Sequence, residues 1–86
     1  MTKAELEARL RNEGFREDYY SLNGSLPPYE GYILVEVHGV WLMQHLERGS
    51  TEELARFTSE EAACDAFYAR LSRDPTLRQR PRTKLL

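Results

Sequence analysis

From Gly31 to Leu46 the chain takes up a two-residue period, and no other stretch constrains the fold as strongly. Tyr32-Ile-Leu-Val-Glu-Val37 and Val40-Trp-Leu-Met-Gln-His-Leu46 are rich in β-branched and aromatic residues, and only His38-Gly39 separates them. Two such runs joined by two residues predict a hairpin in which Gly39 supplies the positive φ of a tight turn. That turn sets the register: Val37 opposite Val40, Val35 opposite Leu42, Ile33 opposite Gln44. One face then carries Tyr32, Leu34, Glu36, Trp41, Met43 and His45; the other carries Ile33, Val35, Val37, Val40 and Leu42. Both faces are largely apolar.

Helical signals flank this hairpin. Thr2 and Glu5 have capping-box spacing, Leu6 and Leu10 make an i, i+4 stripe, and Gly14 suits a left-handed terminus. A first helix is expected at about Lys3 to Glu13. Phe15 to Glu30 reads as connection, with Tyr19 to Leu22 a short strand or an extended anchor and Pro27-Pro28 interrupting regular structure. Arg48-Gly49-Ser50 predicts a second turn, and Leu54 to Phe57 a short third strand. Thr58 and Glu61 then repeat the capping-box spacing, with Phe57 placed to staple onto Ala62. Cys64, Phe67, Tyr68 and Leu71 form the buried stripe of a last helix that Asp74-Pro75 ends. The expected architecture is α+β: helix, three-stranded antiparallel meander, helix, with both helices on one sheet face. The domain is placed at residues 1–75, followed by a basic mobile tail at 76–86.

Two helices of this length cover one face of such a sheet. If they take the Leu34/Met43 face, then Ile33, Val35, Val37, Val40 and Leu42 form an exposed apolar interface, unless the Pro-containing connection or the tail folds over it.

An 86-residue chain holds one domain and one modest core. No apolar run approaches the roughly 20 residues that span a bilayer, and the N-terminal stretch lacks the apolar centre of a secretory signal, so a cytoplasmic location is expected. Charge is unevenly distributed. Met1 to Arg73 holds 13 of the 14 acids and 8 of the 12 bases, a net charge of −5, whereas Asp74 to Leu86 holds one acid and four bases. An acidic body disfavours nucleic acid and suits a basic partner.

Groups able to do chemistry are few. Cys64 is the one cysteine, which excludes an internal disulfide, and its place on the apolar stripe makes it a buried structural residue. His38 and His45 fall in a turn and on a strand, with no third ligand at metal-binding spacing. The adjacent acids Glu17-Asp18, Glu52-Glu53 and Glu60-Glu61 point in different directions on a strand or helix and make no acid/base pair by themselves. No catalytic site, metal or cofactor is expected. The helix–three strands–helix order also invites comparison with double-stranded-RNA-binding domains. Those place basic residues at the start of the second helix, where this chain has Thr58-Ser-Glu-Glu-Ala62, so RNA binding is disfavoured.

A set of short motifs carries a closer resemblance. Tyr20-Ser-Leu-Asn-Gly24, Tyr32-x-Leu34, Gly39-x-Trp41, Glu47-Arg-Gly49 and Phe57-x-Ser-Glu-x-x-Ala-Cys64, in that order, resemble a group of small bacterial proteins regarded as immunity proteins of polymorphic toxins. The resemblance spans about Leu6 to Leu71. It implies a protein that binds and neutralises a cognate toxin domain by occlusion, the target being in many cases a basic nuclease. Val35, Val37 and Leu42 depart from it, since relatives carry polar residues there, and this keeps a homodimeric adaptor working through that sheet face as the alternative. Exposed aromatic and charged loop residues are the expected partner contacts: Tyr19, Tyr20, Tyr29, Glu47 and Arg48.

Overall fold

The structure is a computed structural model that describes residues 1–74 and Leu77. The first helix, α1 (Lys3–Asn12), begins with the expected capping box: the Glu5 N–H donates to Thr2 Oγ1 at 3.2 Å, and the Thr2 N–H donates to Glu5 Oε1 at 2.7 Å. It ends as Gly14 predicts, in a Schellman turn, with φ +80° at Gly14 and the N–H of Phe15 donating to the Leu10 carbonyl at 3.0 Å. Leu6, Leu10 and Phe15 are all buried, so the turn also brings a third apolar side chain under the helix.

The hairpin forms in the predicted register. Strand β2 (Gly31–Val37) pairs antiparallel with β3 (Val40–Glu47), with Val37 opposite Val40, Val35 opposite Leu42 and Ile33 opposite Gln44. Both turn residues are left-handed, His38 at φ 52° and Gly39 at φ 86°. A histidine is an unusual occupant of that position, and the Glu36 carboxylate braces the turn by accepting the Gly39 N–H at 2.5 Å. The next turn repeats the geometry at Arg48 (φ 54°) and Gly49 (φ 78°).

Among the described residues the sheet has four strands and is mixed, which corrects the three-stranded meander. Tyr20–Ser21 forms a short strand β1 that runs parallel to β2, and the order across the sheet is β1-β2-β3-β4. The last strand, β4 (Ser50–Phe57), is eight residues long where Leu54 to Phe57 was expected. Its register against β3 jumps from Ala55 opposite Met43 to Glu53 opposite Gln44, so Leu54 is the extra residue of a β-bulge. A bulge together with Glu52, Glu53 and Arg56 blunts this outer strand against pairing with another chain.

Helix α2 (Glu60–Ser72) is capped one residue later than predicted. Ser59 Oγ accepts the Ala62 N–H at 3.0 Å, and Thr58 makes no cap. Phe57 is still paired opposite Trp41 in the sheet, so the chain needs Thr58 as a link before the helix can turn in. Ala62 is exposed, so the expected staple with Phe57 does not form; Phe57 packs on the core instead. Replacing Ser59 by Ala should cost about 1 kcal/mol. In a domain of this size that is a fall of about 4–8 °C in melting temperature. Thr58→Ala should leave the thermal midpoint nearly unchanged, and equal losses from the two would contradict the assigned cap.

Both helices pack on the Leu34/Met43 face. One cluster joins Leu6, Leu10 and Phe15 to Leu34, Met43, Ala63, Cys64, Phe67 and Leu71. Tyr68 of the predicted stripe is half-buried, and it clamps the helices together. Its hydroxyl donates to Glu13 Oε1 at 2.5 Å and the Arg9 guanidinium lies 4.2 Å above its ring. Leu77, placed in the tail by sequence, belongs to this core: it is 3% exposed and its carbonyl accepts the Arg16 N–H at 2.7 Å. The remainder of the basic tail lies outside the described residues. No helix among the described residues is long and apolar enough to cross a membrane.

The opposite sheet face is not the continuous exposed patch that the hairpin alone suggests. Ile33 is 1% exposed, and Val35, Val40 and Leu42 are half-buried; only Val37, at 44%, is open to solvent. The connection between β1 and β2 passes over this face, so close that a Cβ on Gly24 would sit 3.1 Å from Val35 Cγ2.

Candidate protein-binding surface

The start of β2 and the end of β3 form one end of the sheet, and the predicted contact residues gather around it. Gly31 lies opposite Leu46, and Glu47 lies opposite Ser50 across the Arg48-Gly49 turn. Tyr29 is two residues before Gly31. On the other side of Gly31 the Tyr19 backbone packs so closely that no side chain fits between them. Tyr20, next along, pairs with Tyr32. Three segments far apart in the sequence therefore converge: the 3-10 turn Glu17–Tyr19 with β1, the residues entering β2, and the β3–β4 turn.

The five predicted contacts are not equivalent there. Tyr29 is 73% exposed and stands free of the core, and Glu47 and Arg48 are exposed beside it on the neighbouring turn. Tyr19 and Tyr20 are half-buried and pack on the core cluster. Arg16 covers Tyr19, its guanidinium 4.3 Å from the ring centroid. Burial, and then the charge of Glu17, pushes the Tyr20 phenol above its ordinary range, so it is a neutral hydroxyl.

Carboxylates dominate this end. Glu17, Asp18, Glu30, Glu47 and Glu52 are all exposed. Glu17 is paired with Arg11 at 3.4 Å and Asp18 with Arg16 at 3.5 Å. Among the described residues Glu30, Glu47 and Glu52 have no ion-pair partner. Glu52 continues a row across three strands, opposite His45, whose ring lies 4.8 Å from that of Tyr32. Sequence reasoning left out Glu30, and it counted Glu52 only within the acidic surface as a whole, not at this end. Glu30 was legible as the neighbour of Tyr29, but Glu52 enters only because β4 begins at Ser50.

A groove of about 330 Å³ opens on the same side, between α1 and the β1 segment. Lys3, Glu7 and Arg11, spaced at i, i+4 and i+8, line its helical wall; Glu17 and Tyr20 line the other, with the loop Ser21 to Ser25 at its end. Asn23 Oδ1 braces that loop by accepting from Ser21 Oγ at 2.9 Å, from the Ser25 N–H at 3.1 Å and from Ser25 Oγ at 2.8 Å. Arg11 spans the groove, reaching Glu7 at 3.3 Å and Glu17 at 3.4 Å. Both charge signs, with the hydroxyls of Tyr20, Ser21 and Ser25, make it a place for a polar side chain of a partner, next to the acidic sheet end.

The groups considered for chemistry are dispersed. Cys64 is fully buried, and burial raises its thiol above the ordinary range. His38 and His45 sit toward opposite ends of the β2–β3 hairpin. Among the described residues no cluster of three or more His, Cys, Asp or Glu is arranged to hold a metal ion. Compared with known proteins, the chain matches no family model, no curated sequence and no solved structure.

Proposed function

We propose that this protein is an inhibitory binding protein that neutralises a cognate bacterial toxin domain by occlusion, and that it grips its target with the sheet end built around Tyr29. The observation that carries this reading is the exposed Tyr29 set among carboxylates, Glu30, Glu47 and Glu52, that have no ion pair among the described residues. An exposed aromatic gives a rigid anchor at low entropic cost. The surrounding negative charge steers a basic partner and speeds the encounter. The ordered motif set supports the same reading. Two of its pieces, Tyr20 to Gly24 and Glu47 to Gly49, fall on this surface.

The test is co-purification with the product of the neighbouring gene, particularly its C-terminal domain, followed by binding kinetics. Tyr29→Ala should weaken the complex by about 2 kcal/mol, some thirtyfold, through faster dissociation. A Glu47→Lys/Glu52→Lys double variant should slow association and flatten its salt dependence. The reading fails if both variants bind like the parent.

A homodimeric adaptor is the second reading, favoured by the exposure of Val37 beside half-buried Val40 and Leu42. Val37→Asp separates the two: a dimer through this face dissociates, whereas an inhibitor gripping by the sheet end keeps its affinity.

A further inference from the structure

On the far flank of α2 is a second, smaller groove of about 220 Å³ that shares no residue with the surface above. Ala66, Ala69, Arg70 and Arg73 wall it, and Met43 of β3 makes its floor. These four helical residues recur at i, i+3, i+4 and i+7, so they form one stripe, and it lies beside the stripe that packs the core. Ala66 and Ala69 are too short to fill the space over Met43, which leaves a partly apolar slot lined as well by two arginines.

Arg70 is the informative residue. It is half-buried, and its Nε is the one buried side-chain polar atom among the described residues with no hydrogen-bond partner. Neither Arg70 nor Arg73 has an ion pair among them. Most arginines of the body are engaged: Arg9 with Glu13, Arg11 with Glu7 and Glu17, Arg16 with Asp18, Arg56 with Glu53. A position in the last turn of a helix suits a cation because of the helix dipole, but this satisfies neither the buried Nε nor the slot beside it. Both guanidinium groups lack an anionic partner among the described residues, and a charge-assisted hydrogen bond to a carboxylate is stronger than a neutral one.

We propose that this groove is a docking site for an acidic side chain of a partner protein, an Asp or Glu flanked by an apolar residue. The carboxylate closes on Arg70 and Arg73 while the apolar neighbour fills the slot over Met43. The apolar floor distinguishes such a peptide from a nucleic-acid phosphate, and the net charge of the body works against nucleic acid as well. The chain's own segment from Arg78 to Leu86 contains no Asp or Glu. The site differs in sign from the acidic sheet end, so one protein carries two docking surfaces of opposite charge preference.

The experiment titrates isotope-labelled protein with N-acetyl-leucyl-glutamate amide and, in parallel, with N-acetyl-leucyl-glutamine amide and with inorganic phosphate. The Met43 methyl and Arg70 Nε–H resonances should move saturably with the glutamate probe only. Arg70→Met, which keeps the stem, and the exposed Arg73→Met should each weaken that binding at least tenfold. Parent-like affinity in either folded variant, an equal response to the glutamine probe, or an equal response to phosphate overturns the assignment. Sedimentation covers the remaining occupant: a dimer that Arg70→Met dissolves would give the groove to a second copy and overturn a separate partner.

Discussion

Replacing Phe67 by Ala should remove a large part of the protein's stability to unfolding. Phe67 is 0% exposed and is among the largest fully buried side chains. It projects from the middle of α2 into the cluster that joins Leu6 and Leu10 of α1 to Leu34 and Met43 of the sheet. Truncating a buried Phe costs about 3–5 kcal/mol, the sum of the lost transfer energy and the cavity left behind. At the usual 0.05–0.15 kcal/mol per residue, a domain of this length has a total stability of about 4–13 kcal/mol. The loss is therefore a large share of what exists, and the melting temperature should fall by about 12 °C or more. Tyr29→Ala is the matching control. Its side chain lies outside the core, so its midpoint should stay within about 0.5 kcal/mol of the parent in urea unfolding. That pair separates stability from binding: the first variant loses stability and the second loses binding. A Phe67→Ala protein with a cooperative transition within 1 kcal/mol of the parent would mean that the core is not assembled around this ring.

What the sequence revealed and what it hid follow from the range of the interactions involved. The β2–β3 register was legible because alternation over 13 residues and a two-residue turn leave no second solution. The caps of α1 were legible because they involve neighbours within a few positions. Strand β1 was not. Two residues carry no period, and their partner strand begins ten residues downstream of Ser21, after a loop with no regular signal. Strand β4 was half legible: Ser50 to Glu53 are polar edge residues without alternation, and the bulge at Leu54 breaks the period just where apolar residues begin. At the start of α2 the sequence offers two adjacent hydroxyl residues, and the choice between Thr58 and Ser59 depends on how far β4 extends. For the candidate surface the residue types were readable and their convergence was not. Tyr29, Glu47 and Arg48 are brought together by the Gly31–Leu46 pairing, while Tyr19 and Tyr20 are drawn inward by β1.

The convergence depends on one residue, so Gly31→Ala should dismantle the surface while sparing the rest of the fold. Gly31 has φ +156°, and a Cβ there would lie 2.6 Å from the Tyr19 carbonyl carbon and 3.0 Å from its Cα, with the carbonyl oxygen nearer still. All three are backbone atoms, so no rotamer change relieves the clash. Something must separate, and β1 is held to β2 by only two residue pairs, Tyr20 with Tyr32 and Ser21 with Ile33. The β2–β3 ladder, with seven pairs, will not yield first. Overpacking of this kind costs about 1–3 kcal/mol, comparable to what a two-residue strand contributes. The expected result is faster amide exchange at Tyr20 and Ser21, with protection retained through β3, β4 and α2. Glu17, Tyr19 and Tyr20 would then move away from Tyr29 and Glu47, and the groove beside α1 would lose a wall. Affinity for a target gripped at this end should drop at least tenfold, although no charged or exposed aromatic residue has changed. Gly49→Ala provides the comparison. It has φ +78° and open space around the new Cβ, so it bears only the left-handed strain of about 1–2 kcal/mol and leaves β1 in place. If Gly31→Ala keeps both the slow exchange of β1 and full affinity, the three segments do not act as one surface, and binding must be sought elsewhere on the molecule.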